Sequence, residues 1–267
     1  MSTILDEILA NKKKDVERSR AVTPLETVCH QASQAPPPRS FCGALSSPSN
    51  ADIHLIAEIK HKSPSAGVII EPFEPRSIAK TYQSCGASAI SVLTDHTYFG
   101  GRLEDVTIVR QEVELPVLRK EFIVDEYQIY EARAAHADAI LLIVEAIGID
   151  EVRRLLPVAQ SLGMGALIEC HHTENLKAAI DALGPAGDHF IFGINNRDLT
   201  RQVTDLSTTA KLSTLLPAGS PFVTESGIRT ADDVARLKEI GASAMLVGEA
   251  ILSATSPESK IRELLGQ

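Results

Sequence analysis

Eight short apolar segments recur along most of the chain, and this repeat limits the possible folds more than any other feature of the sequence. Each segment is rich in Ile, Val or Leu and too short for an independent helix, which favours parallel strands buried on both faces. Most precede a stretch with helical periodicity, such as residues 149–163 or 230–242. The apolar segments cover residues 55–60, 89–95, 116–124, 139–147, 165–171, 190–196, 221–228 and 244–251.

The spacing of these segments predicts a closed barrel. Polar residues near their ends run from position 60 to position 248, a span of 188 residues in seven steps. Strands that alternate with helices imply parallel β-α-β crossovers, and eight such units within about 215 residues fit a (β/α)8 (TIM) barrel. An open doubly wound sheet is the alternative, but no GxGxxG motif follows a first strand, which weakens it.

The first 50 residues precede the repeat and are predicted to form a helical extension followed by a linker. Apolar residues at helical spacing predict a helix over residues 1–20; they are Ile4, Leu5, Ile8, Leu9 and Val16. Three consecutive prolines at 36–38 indicate the linker. We therefore expect an α/β chain with a single domain over residues 1–267, in which residues 51–267 form the barrel and residues 1–50 lie across one of its ends.

The charge balance argues against nucleic acid and membranes as partners. The chain has 26 basic and 35 acidic residues, a net charge of −9, so its overall field is unsuited to phosphate backbones or anionic lipids. No run of about 18 apolar residues is present, and early acidic residues interrupt any signal-peptide core. The expected partner is a small phosphorylated molecule, held in a local basic pocket.

The cysteines and histidines predict no metal site. None of the four cysteines belongs to a CxxC pair, and reduced thiols in a cytoplasmic protein are the simplest expectation. The eight histidines are scattered, apart from the adjacent pair His171 and His172, whose rings should diverge on a strand. We therefore expect no bound metal.

Charged, amide or hydroxyl side chains stand at the ends of most of the apolar segments. They are Glu58, Lys60, Arg119, Lys120, Glu121, Glu169, Asn195, Asn196, Arg197, Glu225 and Ser226. Burying one such charge unpaired costs several kcal/mol, so their recurrence at the ends of at least five strands predicts one polar cavity, at the end where barrel active sites lie. The alternative is that ion pairs such as Glu58 with Lys60 close the mouth without chemistry. A partly desolvated lysine there should lose basicity, which suits proton transfer near neutral pH.

Two glycines suggest where a phosphate binds. Gly227 and Gly248 follow the seventh and eighth apolar segments, where backbone N–H groups of such a barrel close around a phosphate. The alternative is that both glycines only make tight turns. Glu249 also follows the eighth segment, and its carboxylate would repel a dianion. We expect its backbone N–H to bind while its side chain points away.

Several blocks of sequence closely resemble indole-3-glycerol phosphate synthase, in order and along nearly the whole chain. They include AEIKHKSPSAG (57–67), LRKEFIVDEYQIYEAR (118–133), GINNRDL (193–199) and TESGI (224–228). The resemblance implies a barrel with an N-terminal helical segment over its mouth and a reaction without a cofactor. It also implies the substrate, 1-(2-carboxyphenylamino)-1-deoxyribulose 5-phosphate, which cyclises and loses CO2 and water to give indole-3-glycerol phosphate for tryptophan biosynthesis. Such an enzyme is a carboxy-lyase.

The resemblance also implies residue roles. Lys120 would be the acid for ring closure, and Lys60 and Glu169 would share the later proton transfers, with Glu58 tuning Lys60. The residues expected to position the substrate are Ser63, Lys62, Asn195, Arg197, Glu225, Ser226, Phe99 and Phe122, with Gly227, Gly248 and Glu249 at its phosphate. For the two phenylalanines, core packing is the alternative role.

Two other functions stay open at this point. Phosphoribosylanthranilate isomerase is also a sugar-phosphate barrel, but it needs a Cys/Asp pair, for which Cys170 is the only suitable strand-end cysteine. A non-catalytic barrel that binds a phosphate ester is the other alternative. It would have no need to combine Lys60, Lys120 and Glu169.

Overall fold

The computed structural model of the chain describes residues 3–46, 53–201 and 203–267, and these form a barrel of eight parallel strands. The strands are β1 (His54–Ile59), β2 (Ala89–Leu93), β3 (Val117–Lys120), β4 (Ala139–Ile143), β5 (Gly165–Cys170), β6 (Phe190–Asn195), β7 (Phe222–Glu225) and β8 (Ala244–Val247). β1 pairs with both β2 and β8, where Ile56 lies beside Ala89 and His54 beside Ala244, so the sheet closes on itself. The predicted (β/α)8 barrel is confirmed.

Helices surround the barrel and precede it. The N-terminal helices are α1 (Ile4–Val22), α2 (Leu25–Gln34) and α3 (Phe41–Ser46). Those within the barrel repeat are α4 (Pro75–Ser84), α5 (His96–Phe99), α6 (Leu103–Glu112), α7 (Glu126–Ala134), α8 (Val144–Ser161), α9 (Thr173–Leu183), α10 (Ser207–Ser213), α11 (Ala231–Glu239), α12 (Glu249–Leu252) and α13 (Pro257–Leu265). Within the described ranges, no helix combines the length and apolar character needed to cross a bilayer.

Local sequence sets the helix boundaries. At the start of α1, the Thr3 hydroxyl accepts a hydrogen bond from the backbone N–H of Asp6, whose carboxylate accepts one from the N–H of Thr3. Thr230 and Asp233 form the same capping box on α11. These reciprocal bonds satisfy N–H groups that a helix start leaves unpaired.

The barrel interior is apolar and is covered at both ends by the N-terminal extension. Leu5 and Ile8 of α1 belong to the same buried cluster as the inward-facing strand residues, at the carboxyl end of the strands. Phe41 and Cys42 of α3 belong to it at the opposite end, where a Cβ on Gly165, the first residue of β5, would lie 3.3 Å from both. The interior is therefore packed core beneath an open polar mouth.

The stretch predicted as a linker contains two helices that the sequence analysis missed. Val28 of α2 packs with Val16 of α1 and Tyr127 of α7 in a cluster of its own. Leu45 of α3 is fully buried. Residues 47–50, the last part of the predicted linker, lie outside the described residues.

One buried lysine ties α1 to the barrel. Lys12 Nζ lies 2.8 Å from Asp95 Oδ2 and 3.1 Å from Glu121 Oε1. Asp95 caps α5 and Glu121 directly follows β3. α1 thus lies across the carboxyl end of the strands, the end that the family resemblance implied.

Candidate active site

A cavity of about 440 Å³ opens at the carboxyl end of the strands, beneath α1. Thirteen of the fifteen predicted site residues line it: Glu58, Lys60, Phe99, Lys120, Phe122, Glu169, Asn195, Arg197, Glu225, Ser226, Gly227, Gly248 and Glu249. Ile4, Leu5 and Ile8 of α1 add an apolar roof. The topology therefore brings most of the strand-end polar residues into one site. Arg119 and Asn196 were predicted there but do not line it. The Arg119 guanidinium donates to Thr94 and Glu131, and the Asn196 side chain bonds to Thr209 and Thr224.

Lys120 lies between two buried carboxylates at the end of β3. Its Nζ donates a hydrogen bond of 3.0 Å to Glu169 Oε2 and lies 3.2 Å from Glu225 Oε2. Burial lowers the pKa of Lys120, but the charges of Glu169, Glu225 and Glu58 outweigh burial, and the net effect is a raised pKa. Lys120 is therefore held as an ammonium group.

The expectation that a lysine in this pocket loses basicity is wrong for Lys120. That expectation counted desolvation alone. The three carboxylates come from β1, β5 and β7, and their combined field acts in the opposite direction. Lys120 is thus held in its protonated form and is not suited to the role of a base.

Glu225 is buried at the end of β7 and is incompletely satisfied. Neither of its carboxylate oxygens takes part in a hydrogen bond within the described part of the chain, although Lys120 is close. Burial is the main cause that raises the pKa of Glu225 to about 8. The negative charge of Glu169 raises it further, and the positive charge of Lys120 lowers it in part. The charges of Glu225 and Lys120 are therefore coupled, since a proton on Glu225 removes one of the three negative charges that raise the pKa of Lys120.

Lys60 and Glu58 form a second pair at the end of β1. Lys60 Nζ donates a hydrogen bond of 2.7 Å to Glu58 Oε1. Burial alone would raise the pKa of Glu58, but Lys60, Lys120 and Arg197 lower it overall. Glu58 therefore stays ionised and anchors the Lys60 ammonium group at the cavity wall.

Asn195 connects the acid–base residues to the β6 loop. Its Nδ2 donates to Glu169 Oε1 at 2.9 Å, and its Oδ1 accepts from the backbone N–H of Arg197 at 2.9 Å. The Arg197 guanidinium donates to Ser65 Oγ and to Thr204 Oγ1, both at 3.3 Å. These bonds direct a cationic side chain across the mouth, between the loops that follow β1 and β6.

Two phenylalanines form an aromatic wall near the roof. The ring centroids of Phe99 and Phe122 are 6.2 Å apart with a 35° angle between the planes. Phe122 is almost fully buried and packs with the barrel interior, whereas Phe99 is half-buried. A flat apolar group of a ligand can extend this wall.

Lys62 and Ser63 also have predicted site roles but do not line the cavity. They form one strand of a small hairpin with Gly67 and Val68, just after β1. The Ser63 hydroxyl accepts a hydrogen bond of 3.1 Å from the backbone N–H of Ala66, so it supports the turn. Contacts of Lys62 or Ser63 with a substrate stay a prediction.

The two glycines at the mouth line the cavity and also have steric roles. Gly227 has φ +79° and follows Ser226 with φ +68°, a left-handed pair that strongly favours glycine at the second position. At Gly248 a Cβ would lie 2.5 Å from Glu58 Oε1. The backbone can thus approach a ligand at both positions, and at Gly248 the missing side chain also makes room for Glu58.

The Glu249 side chain points toward a cation, and phosphate binding by its backbone N–H stays a prediction. A carboxylate oxygen of Glu249 lies 3.6 Å from Nη2 of Arg229, which also lines the cavity. Sequence reasoning missed Arg229, although a cation two residues beyond Gly227 was a usable signal. It also missed Gly193 of β6, where a Cβ would lie 2.6 Å from Glu225 Oε1.

The histidine pair does not diverge as predicted. His171 and His172 lie in the turn after β5, not on the strand, and their ring centroids are 4.7 Å apart in an edge-to-face arrangement. Together with Asp198 they place three potential ligand atoms within 4.8 Å of one another. None of the three lines the cavity.

Cys170 gives no support to isomerase chemistry. Its side chain is buried in the core outside the barrel and does not line the cavity. Burial raises the pKa of its thiol well above the ordinary value. An acid–base role for this cysteine is thus disfavoured.

Comparison with known proteins gives one family. The sequence profile of indole-3-glycerol phosphate synthase matches residues 5–264. The indole-3-glycerol phosphate synthase of Roseiflexus sp. (strain RS-1) is 47% identical, covering 100% of this chain and 99% of its own. That of Paenarthrobacter aurescens (strain TC1) is 43% identical over 98% of this chain and 95% of its own.

Solved structures that resemble this one share only its fold. A mutant tryptophan synthase α-subunit from Pyrococcus furiosus aligns with a TM-score of 0.58 at 14% identity, over 80% of this chain and 98% of that chain. The 3-hexulose-6-phosphate synthase of Salmonella typhimurium aligns with a TM-score of 0.61 at 12% identity, over 80% of this chain and 97% of that chain.

Proposed function

The chain belongs to the indole-3-glycerol phosphate synthase family, whose product serves tryptophan biosynthesis, and we propose that Lys120, Lys60 and Glu169 carry out the family's reaction in this cavity. The substrate is 1-(2-carboxyphenylamino)-1-deoxyribulose 5-phosphate. It forms one carbon–carbon bond, then loses CO2 and water, so the enzyme is a carboxy-lyase.

Ring closure needs an acid at the substrate ketone. The aryl carbon that bears the carboxylate attacks the ketone carbon, and the ketone oxygen takes up a proton as the new bond forms. Lys120 supplies this proton, since the carboxylates around it keep it protonated and it lines the cavity. A positioned general acid contributes about 10²–10⁴-fold to a rate.

Decarboxylation then needs little from the protein. Ring closure leaves positive charge on the nitrogen side of the new ring, and the electrons of the carbon–carboxylate bond flow toward it as CO2 leaves. The apolar roof of Ile4, Leu5 and Ile8 favours this step, because a poorly solvated carboxylate is lost more readily than a hydrated one.

Dehydration needs an acid and a base. The hydroxyl formed from the ketone leaves as water with a proton from Lys60, which Glu58 holds in place. Glu169 takes the ring proton beside the nitrogen, which completes the indole. Because Glu169 accepts hydrogen bonds from both Lys120 and Asn195, its position is fixed for this transfer.

The cavity also suits the two halves of the substrate. Phe99 and Phe122 contact the aryl ring, and the backbone at Gly227 and Gly248 receives the phosphate. Arg197, at the mouth, stabilises anionic groups between them. The ligand is a small phosphorylated molecule, and no macromolecular partner is needed for the chemistry.

The observation that carries the residue assignment is the direct contact of Lys120 with Glu169, an acid and a base, in a cavity that also holds the Lys60–Glu58 pair. A phosphate-binding barrel without catalysis would gain nothing from two buried lysine–carboxylate pairs, because unpaired burial of any member is costly.

The test is an assay of the purified protein with the anilino-deoxyribulose phosphate. Indole fluorescence should appear on a dark background, because the chain contains no tryptophan. Lys120→Met should lower kcat by at least about 100-fold with a much smaller effect on KM. The matched control is Lys177→Met, the same change on the exposed face of α9, which should leave kcat unchanged.

Two results would count against the proposal. A wild-type protein that gives no indole product would remove the activity itself. A Lys120→Met variant that keeps more than about a tenth of wild-type turnover would remove Lys120 as the ring-closure acid, since tenfold corresponds to only about 1.4 kcal/mol.

A further inference from the structure

His171, His172 and Asp198 form a cluster at the rim of the barrel, outside the catalytic cavity. The histidines follow β5, and Asp198 lies in the small hairpin that follows β6. The backbone of the pair is held by Glu145, whose Oε1 accepts hydrogen bonds from the N–H groups of His171 and His172 at 2.7 and 2.9 Å. The two imidazoles are thus presented together from a fixed turn.

The hydrogen bond of His171 fixes which nitrogen is free. Its Nδ1 lies 2.7 Å from the backbone carbonyl oxygen of Asn195, which can only accept, so Nδ1 carries the proton. In the neutral ring, Nε2 then presents a lone pair. Metal-binding histidines commonly show this arrangement, with one nitrogen donating to a carbonyl and the other on the metal.

The lone pair of His171 faces a carboxylate oxygen. Nε2 lies 3.9 Å from Asp198 Oδ2, beyond hydrogen-bond distance. Asp198 Oδ1 is already occupied, since it accepts from the N–H and hydroxyl of Thr200 and the N–H of Arg201. Oδ2 remains for a ligand, and its other neighbour is the Arg201 side chain at 3.8 Å, which is 82% exposed and can turn to solvent.

Two facing acceptors at this distance are stabilised by a cation between them. A tetrahedral zinc ion with bonds of about 2.0–2.2 Å places neighbouring ligand atoms roughly 3.4 Å apart, so His171 and Asp198 need to approach by only about half an ångström. His172 is exposed, and its ring is free to supply the third ligand. Two imidazoles and one carboxylate are a ligand set typical of zinc with one open position.

We propose that His171, His172 and Asp198 bind one divalent transition-metal ion of the zinc type at the rim of the barrel. The ion bridges the β5 turn and the β6 hairpin, which also carries Arg197. Binding stabilises the folded chain, because the unfolded chain does not hold the three ligands together.

The experiment is titration of the purified protein, without substrate, with Zn²⁺ by calorimetry and with Co²⁺ by visible absorption, which reports tetrahedral coordination. One ion per chain should bind, and the melting temperature should rise with Zn²⁺. His172→Ala should weaken Zn²⁺ binding at least tenfold, while His189→Ala, a change at another exposed histidine, should not. Because His172 is exposed, its loss should leave the fold unchanged in circular dichroism.

Three outcomes would overturn the proposal. They are absence of saturable binding, unchanged affinity in His172→Ala, and equal weakening by His172→Ala and His189→Ala. Unchanged affinity in His172→Ala would place the ion elsewhere, for example at a cysteine. None of these results bears on the catalytic residues, whose assay needs the organic substrate and no added metal.

Discussion

Lys12→Met should separate the role of the N-terminal helix from that of the barrel. The side chain of Lys12 is 8% exposed, and its ammonium group contacts Asp95 and Glu121, whose side chains are each 2% exposed. Burial lowers the pKa of Lys12, but the charges of Glu121 and Asp95 outweigh this and raise it. Met keeps most of the length and removes the cation, so both carboxylates lose their common partner.

The magnitude follows from two competing responses. If α1 stays docked, Glu121 still has Arg119 at 3.9 Å, whereas Asp95 loses the cation that paired with it. Leaving a buried charge unpaired costs about 3–5 kcal/mol. If α1 undocks, the burial of Leu5 and Ile8 is lost, about 1.5–3 kcal/mol for each, partly offset by regained chain entropy. Because the two costs are similar, we expect α1 to be undocked in a substantial fraction of molecules while the barrel stays folded.

The kinetic consequence should be larger for KM than for kcat. Glu121 accepts a hydrogen bond from the N–H of Phe122, and Asp95 accepts one from Tyr98, next to Phe99. Loss of Lys12 therefore loosens both the roof and the aromatic wall, while Lys120 keeps its carboxylate partners.

The assay combines steady-state kinetics, urea denaturation and hydrogen exchange of the α1 amides. The control is Lys13→Met, the same change at the exposed neighbouring position. Equal KM and equal α1 exchange in the two variants would refute the reasoning.

Two further outcomes follow from the burial of Glu225 and of α3. The folded-state pKa of Glu225 is about 8 against 4.5 ordinarily, so its contribution to stability is present below about pH 4.5 and is lost as pH rises toward 8. In urea titrations, wild type should therefore lose stability relative to Glu225→Gln as pH rises from 5 to 8. If wild type instead gained stability relative to the variant, Glu225 would be an ionised carboxylate paired with lysine. Deleting residues 1–23 should leave a folded barrel with a raised KM, whereas deleting residues 1–45 should strongly lower the melting temperature in calorimetry. The reason is that Phe41 and Leu45 close the other end of the barrel, and each large core truncation costs about 2–5 kcal/mol. Similar melting temperatures for the two deletions would contradict this role of α3.

The barrel could be predicted because its signal is repeated eight times along the chain. Each apolar segment is ambiguous alone, but the regular alternation with helices leaves few topologies. The helix α3 offers no such repetition. It has six residues and follows a proline run, and its reason to fold is contact with residues such as Gly165, more than 100 positions away. Sequence periodicity therefore could not detect it.

The location of the site was predictable, but its electrostatics were not. Strand ends in a parallel barrel converge, so the clustering of Lys120 and Glu169 follows from topology alone. The sign of the change in the pKa of Lys120 depends on how many carboxylates come within contact distance. Glu169 lies 49 residues and Glu225 lies 105 residues further along the chain, and only the structure shows that both contact the same ammonium group.

Two glycines of the barrel make room for two carboxylates of the site. A Cβ at Gly193 would clash with Glu225 Oε1, and one at Gly248 would clash with Glu58 Oε1, at 2.6 and 2.5 Å. Each glycine thus lets a carboxylate on a neighbouring strand turn into the cavity, where it acts on Lys120. Gly248 therefore has a reason to lack a side chain whether or not a phosphate binds beside it.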